Sequence, residues 1–96
     1  MKVIIKKSAL ESIEQIVDYI SSEIKLPETA LRYTDKLIEF GFDLGKYYKI
    51  YTPCKNIKLA KRGLRCATFD KKWVFAYKIG SKSVIIHQII WAGLLK

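Results

Sequence analysis

The sequence predicts a two-layer α+β fold, in which a helical hairpin packs against one face of an antiparallel-rich sheet. Apolar residues recur at the helical period in the first half of the chain and at a period of two in the last third, with turn residues between the segments. The predicted order is strand, helix, helix, strand, strand, strand (β-α-α-β-β-β). We expect residues 1–96 to form one domain, because this length supports one two-layer core but not two.

The first two elements are a short strand over residues 2–6 and an amphipathic helix. Ser8 is expected to cap the helix, and Glu11 follows three residues later, as in a capping box. One apolar stripe then runs at helical spacing through Leu10, Ile13, Ile16, Val17, Ile20 and Ile24. This stripe should face the core.

The second helix is predicted from about residue 28 to residue 44. Pro27 suits its first turn, because the missing N–H of proline would be unpaired there. Gly41 permits close packing against the first helix, and Gly45 is expected to end the second one. Because few residues join the two helices, we expect an antiparallel hairpin.

The segment over residues 46–63 is expected to be irregular, since Pro53 interrupts any regular element. Residues 57–60 form either a turn of helix or an edge segment, and the sequence leaves both open. From Leu64 the period of two predicts strands over residues 64–69, 73–79 and 84–91. Short turns at 70–72 and 80–83 make them an antiparallel meander.

Charge is distributed unequally along the chain, whose formal net charge is +9. Residues 1–45 carry six basic and eight acidic groups, whereas residues 46–96 carry twelve basic groups and a single acid, Asp70. Such an excess predicts a polyanionic partner, either nucleic acid, an acidic protein or a membrane surface. The alternative is a basic face that serves only solubility. The most apolar stretch, residues 84–95, is too short to span a bilayer, so no membrane-spanning segment is expected.

The two cysteines, Cys54 and Cys66, are twelve residues apart, which fits no zinc pattern, and His87 is the only histidine. We therefore expect no metal and no cofactor. No signal peptide is evident, which favours the cytoplasm and free thiols, with Cys66 as a small core residue, although a disulfide stays open.

Both ends of the chain resemble toxins of the RelE/ParE family. The start, VIIKKSALESIEQIVDYI, is similar to the family's opening strand, Ser, Ala and amphipathic helix that ends in a Tyr-aliphatic pair, here Tyr19 and Ile20. The end, GLRCATFDKKWVFAYKIGSKSVIIHQIIW, resembles its terminal meander. Arg65 opens one strand there, Tyr77 lies late in the next, and residues 84–90 form the last aliphatic run.

The resemblance implies a growth-inhibiting toxin of a type II toxin–antitoxin system, a class associated with plasmid stabilisation, whose acidic antitoxin wraps and silences it. RelE-like members cleave mRNA in the ribosomal A site, whereas ParE-like members inhibit DNA gyrase. The expected partners are thus the antitoxin and either ribosome-bound mRNA or gyrase. A homodimer or a heterotetramer with the antitoxin is the expected assembly. A plain nucleic-acid-binding module and an inactive toxin relative are the alternatives.

If the protein is a ribonuclease, its catalysis needs cations beside the phosphate together with an acid or base. The candidate catalytic residues are then Arg65, Lys61 and Arg62. Candidates for nucleic-acid binding are the basic residues of the second half and one aromatic residue: Lys55, Lys58, Lys61, Arg62, Arg65, Lys71, Lys72, Lys78 and Trp91. Trp91 stands where nuclease members often carry a histidine, and its indole cannot exchange a proton. This departure favours a ParE-like binding toxin, and whether the protein is an enzyme stays open.

Contact with the antitoxin should bury exposed apolar groups as well as neutralise charge. The candidates are Tyr47, Tyr48, Tyr51, Leu94 and Leu95. We interpret His87 as a packed or edge residue of the last strand, and Tyr77 as a packed ring with an exposed hydroxyl group.

Overall fold

The computed structural model describes residues 1–95, and Lys96 lies outside the described residues. Over these residues the chain forms four strands, three helices and a short 3₁₀ turn. Their bounds are β1 Lys2–Ile5, α1 Lys7–Glu23, α2 Pro27–Tyr47, α3 Ile57–Lys61, β2 Arg65–Phe69, β3 Trp73–Ile79, β4 Ser83–Trp91 and the 3₁₀ turn Ala92–Leu95. The predicted order is observed, with α3 added in the segment that the sequence left undecided.

The four strands form one sheet in the order β1-β4-β3-β2. The last three strands pair antiparallel, as the meander predicts, whereas β1 pairs parallel with β4. A parallel pair requires a crossover, and the long α1–α2 hairpin is the first part of the chain between these two strands. The hairpin therefore covers one face of the sheet, which we call the hairpin face.

The main core lies between this hairpin and the sheet. Leu37 and Leu44 of α2 pack there against Phe75 and Tyr77 of β3 and Ile86 of β4, and each of the five is at most 1% exposed. These residues follow the periods read from the sequence, 3.6 along the helix and two along the strands. Gly41 packs against the sheet, and not against α1 as predicted. A Cβ atom at this position would lie 3.0 Å from Cε2 of Phe75, so the glycine permits the close approach of α2 to the sheet.

A second, smaller core lies on the opposite face of the sheet, which we call the α3 face. Cys54, Leu59, Leu64 and Ala76 are buried together there, with Leu95 packed against them. Asn56 begins α3 by accepting a hydrogen bond from the Leu59 amide at 3.2 Å. Burial of Leu59 thus makes residues 57–61 a turn of helix, not an edge strand.

The capping box predicted at the start of α1 is wrong. The helix begins at Lys7, its N-cap is Lys6, and no side chain caps it. Ser8 lies inside the first turn and donates its hydroxyl hydrogen to the carbonyl oxygen of His87 at 2.7 Å. The reason is tertiary: the Lys6 amide still donates to Ile86 of β4, so strand pairing fixes where the helix can begin.

Gly45 does not end α2, which continues to Tyr47. It lies where β1 crosses the helix, and its carbonyl oxygen accepts a hydrogen bond from the amino group of Met1 at 2.7 Å. A Cβ atom at this position would collide with the carbonyl oxygen of Met1. The glycine is therefore required for a close approach of two backbones.

Cys54 and Cys66 form a disulfide, so the expectation of free thiols is wrong. The chain folds back before α3 and runs beside the start of β2, where the Cys54 amide donates to Leu64 and the Cys66 amide to Thr52. This pairing brings the two Cα atoms to 4.8 Å. Within residues 1–95 no helix is long and apolar enough to cross a membrane, and no cluster of three or more metal-ligating side chains is found.

Candidate interaction surfaces

Four of the nine predicted nucleic-acid-binding residues lie on or beside α3. Lys55, Lys58, Lys61 and Arg62 are all exposed there. Lys71 and Lys72 are exposed too, but they belong to the tight turn between β2 and β3, where Asp70 and Lys71 have positive φ angles of 53° and 57°. Six of the eight predicted basic residues therefore form two groups, one along α3 and one at this turn, whereas Arg65 lies on β2 and Lys78 on β3.

Asp70, the single acid of the second half, holds the β2–β3 turn against α2. Its carboxylate accepts a hydrogen bond from the Tyr33 hydroxyl at 2.7 Å, and the same hydroxyl oxygen accepts one from the Trp73 indole at 3.0 Å. Burial, together with the Asp70 carboxylate, raises the pKa of Tyr33 to about 12. Asp70 is thus engaged away from α3 and its basic residues.

Arg65 faces the hairpin side of the sheet. Its neighbour along β2, Cys66, belongs to the core of the α3 face, and side chains of a strand alternate between faces. Its Nη1 donates a hydrogen bond of 2.6 Å to the carbonyl oxygen of Tyr51. Lys61 and Arg62 lie on the other side, at the end of α3. The three candidate catalytic residues are therefore not brought together on one face.

Tyr77 is completely buried, so the expectation that its hydroxyl is exposed is wrong. The hydroxyl donates a hydrogen bond of 2.7 Å to the carbonyl oxygen of Tyr48, which follows the last turn of α2. Burial raises the pKa of Tyr77 to about 12, although the charge of Arg65 acts in the opposite direction. This side chain fixes the end of the hairpin on the sheet and has no surface to offer a ligand.

His87 lies at an irregularity of β4. Tyr77 pairs with Ile86 and Ala76 with Gln88, which leaves His87 as the extra residue between them. It is half-buried on a central strand, so it is packed and not an edge residue. Partial burial lowers the pKa of His87 below its usual 6.5, and the nearby positive charges of Lys6, Arg62 and Lys78 lower it further.

This shift predicts a pH dependence of stability. Because the folded protein binds the His87 proton less readily than the unfolded chain, the free energy of unfolding should fall as the pH drops below about 6.5. Above about pH 6.5 His87 is mostly neutral in both the folded and the unfolded protein, so it does not lower the free energy of unfolding there. We expect His87→Gln to flatten the profile between about pH 5 and pH 7 in urea titrations. An unchanged slope in the variant would mean that other groups cause the dependence.

An apolar groove of about 410 Å³ opens between α1 and the C-terminal end of β4. It is lined by Ile16, Tyr19, Trp73, Trp91 and Leu94, among others. Tyr19 and Trp73 meet edge to face with ring centroids 5.9 Å apart. Trp91 is 54% exposed and faces α1, so it does not lie beside the basic residues of α3.

The five candidates for antitoxin contact are distributed over four places. Tyr47, at the end of α2, is 52% exposed, whereas Tyr48 and Tyr51 are half-buried against the main core. Leu94 is 71% exposed at the groove, whereas Leu95 packs into the second core. Tyr47 and Leu94 are thus accessible, and the other three support the fold.

Sequence reasoning missed two features of these surfaces. Tyr19 contributes to the groove, and its place beside the apolar stripe of α1 was a signal for a second contact face. Lys6 approaches His87 because the turn from β1 into α1 places it there. No local pattern in the sequence indicates this proximity, since the two residues are far apart in sequence.

These features define a small two-layer α+β protein with exposed basic residues and an apolar groove. A chain of a solved structure described as the chromosomal ParDE TA system from P. aeruginosa superposes with a TM-score of 0.78 at 19% sequence identity, and the match covers 95% of each chain. The two chains therefore share a fold, and the predicted α+β class is confirmed.

Residues 3–90 match the family model described as the ParE toxin of the type II toxin–antitoxin system parDE. The chain belongs to this family, so the RelE/ParE resemblance and the role of a type II toxin are confirmed. No curated protein matches the chain in sequence.

Proposed function

We propose that this ParE-family toxin inhibits DNA gyrase by binding it, without catalysing a reaction, and that an acidic antitoxin keeps the toxin inactive. The observation that carries the proposal is the separation of the candidate catalytic groups. Arg65 lies on the hairpin face, whereas Lys61 and Arg62 lie at the end of α3 on the other side.

Cleavage of RNA by its own 2′-hydroxyl requires cations and a proton-transferring group that converge on one phosphate. Arg65 uses Nη1 to hold the Tyr51 carbonyl, and the Tyr77 hydroxyl is buried against Tyr48. Trp91 has only an indole N–H, which donates a hydrogen bond but does not exchange its proton. A binding mechanism requires no such convergence.

The surface also supports an antitoxin partner. Tyr19, Trp91 and Leu94 leave apolar area exposed around one groove, and these residues are 54%, 54% and 71% exposed respectively. Such patches on a small protein are typical of protein–protein contacts. The basic excess of the second half favours a partner with many carboxylates.

The proposal is tested by inducing the toxin with and without the protein encoded by the neighbouring gene. We expect growth arrest that the neighbour's product relieves, intact transcripts, and loss of gyrase supercoiling when the purified toxin is added. Arrest with normal supercoiling would contradict the gyrase target. Normal growth in both cultures would contradict the toxin activity itself, provided that the protein accumulates.

One observation favours ribonuclease activity as a second candidate. His87 lies near Arg62 and Lys78, and its lowered pKa keeps the imidazole neutral at pH 7, as a general base must be. Transcripts cut inside codons after induction would support this candidate. His87→Gln should then abolish the cuts, because an amide cannot accept the proton at this pH.

A further inference from the structure

Part of the sheet's α3 face is not covered by α3. It lies at the β1 side and consists of Ile4, Lys6, Arg62, Lys78, Ile85 and His87, which we call the cationic sheet surface. Val3 and Ile5 pack into the core of the hairpin face, so strand alternation turns Ile4 outward, where it is 42% exposed. Ile4 is aligned with Ile85, and Ile85 with Lys78.

Two aligned isoleucines therefore form an apolar strip, and cations border it from three elements. Lys6 comes from the β1–α1 junction, Arg62 from the end of α3 and Lys78 from β3. Their charges reach the same side chain, since all three lower the pKa of His87. The turn after α3 lies close to Lys78. At Gly63, whose φ is +75°, an added Cβ atom would lie 3.8 Å from Nζ of Lys78.

The charges that act on His87 are all positive. Clustered cations repel one another, and a ligand that brings negative charge removes the repulsion. The apolar strip favours a partner with apolar side chains, because contact with them would remove Ile4 and Ile85 from water. The surface is thus complementary to a ligand that is both acidic and apolar.

We propose that the cationic sheet surface docks an acidic amphipathic segment of the antitoxin, with apolar side chains on Ile4 and Ile85 and carboxylates beside Lys6, Arg62 and Lys78. This inference rests on the proposed antitoxin partner and assigns it a docking surface in addition to the apolar groove. A nucleic-acid strand fits less well, because it would need aromatic rings for its bases. The exposed rings of Tyr19 and Trp91 line the groove on the hairpin side instead.

The test measures the affinity of the toxin for the protein encoded by the neighbouring gene. Reversing two charges in Lys6→Glu/Lys78→Glu should raise the Kd about 100-fold or more, because like charges then face each other. The matched control is Lys25→Glu/Lys36→Glu, which makes the same charge change on the helical hairpin, where Lys25 and Lys36 are exposed, and should leave the Kd within about threefold. Circular dichroism verifies that both variants are folded.

A second pair of variants tests the apolar strip. Ile4→Ser should raise the Kd about tenfold, whereas Leu31→Ser, which removes a side chain 64% exposed on α2, should change it little. The NMR signal of His87 supplies an independent readout, since no other histidine overlaps it. Its pKa should rise when the antitoxin's carboxylates bind.

Three results would overturn the inference. If the cationic sheet surface variants bind the antitoxin as well as the wild type does, the docking site is wrong while the toxin–antitoxin pairing stands. If the wild-type toxin does not bind the neighbour's product, the pairing fails and the inference with it. If the variants lose only binding to a single-stranded RNA of about 20 nucleotides, the surface serves nucleic acid.

Discussion

Replacing Phe75 by alanine should lower the free energy of unfolding by about 3–5 kcal/mol, the range for a large aromatic side chain removed from a core. Phe75 is 1% exposed at the centre of the sheet. Its ring lies 5.2 Å from that of Phe40, and a Cβ on Gly41 would already contact it. The cavity left by the substitution is therefore enclosed by α2 and cannot easily collapse.

Phe42→Ala is the matched control, because it removes the same side chain from the outer surface of α2, where Phe42 is 53% exposed. We expect a change within about 0.5 kcal/mol for this variant. Urea unfolding followed by circular dichroism measures both. Equal losses in the two variants would contradict the position of the main core between α2 and β3.

Reducing the disulfide between Cys54 and Cys66 should lower the free energy of unfolding by about 2–3 kcal/mol, because the bond closes a short loop in the unfolded chain. The effect should be concentrated around α3, since Cys54 and Leu59 form the second core with few other residues. Urea unfolding with and without a thiol reductant measures the loss. Amide exchange should show faster opening of residues 54–64 than of the hairpin.

The control for this experiment is Cys54→Ser/Cys66→Ser, which should be destabilised like the reduced protein and should not respond to the reductant. A wild-type protein whose unfolding is the same with and without reductant would contradict the disulfide. If reduction also weakens antitoxin binding, the position of Arg62 would explain the effect. Arg62 lies at the end of α3 and belongs to the cationic sheet surface, so loosening of α3 would displace it.

The composition of the chain predicts which half carries the basic residues, but not which face of the sheet each of them occupies. The charge asymmetry identified the second half as the basic part, and the structure keeps Lys55, Lys58, Lys61 and Arg62 exposed together. Composition does not reveal which face a strand residue occupies. Arg65 and Arg62 are three positions apart, yet the turn at Gly63 and the alternation of β2 direct them to opposite faces.

The sequence by itself determined the order of the two long helices and the four strands, because helical and strand periodicity are local properties that burial of one face imposes. It also determined the resemblance to the RelE/ParE toxins, which the family match confirms. The tertiary structure alone decided where α1 begins, why α2 passes Gly45, and that Cys54 meets Cys66. Each depends on contact between distant segments: β4 holds the residue before α1, β1 crosses Gly45, and the chain before α3 folds back onto β2. Such contacts form only when the whole chain packs, so no window of neighbouring residues contains them.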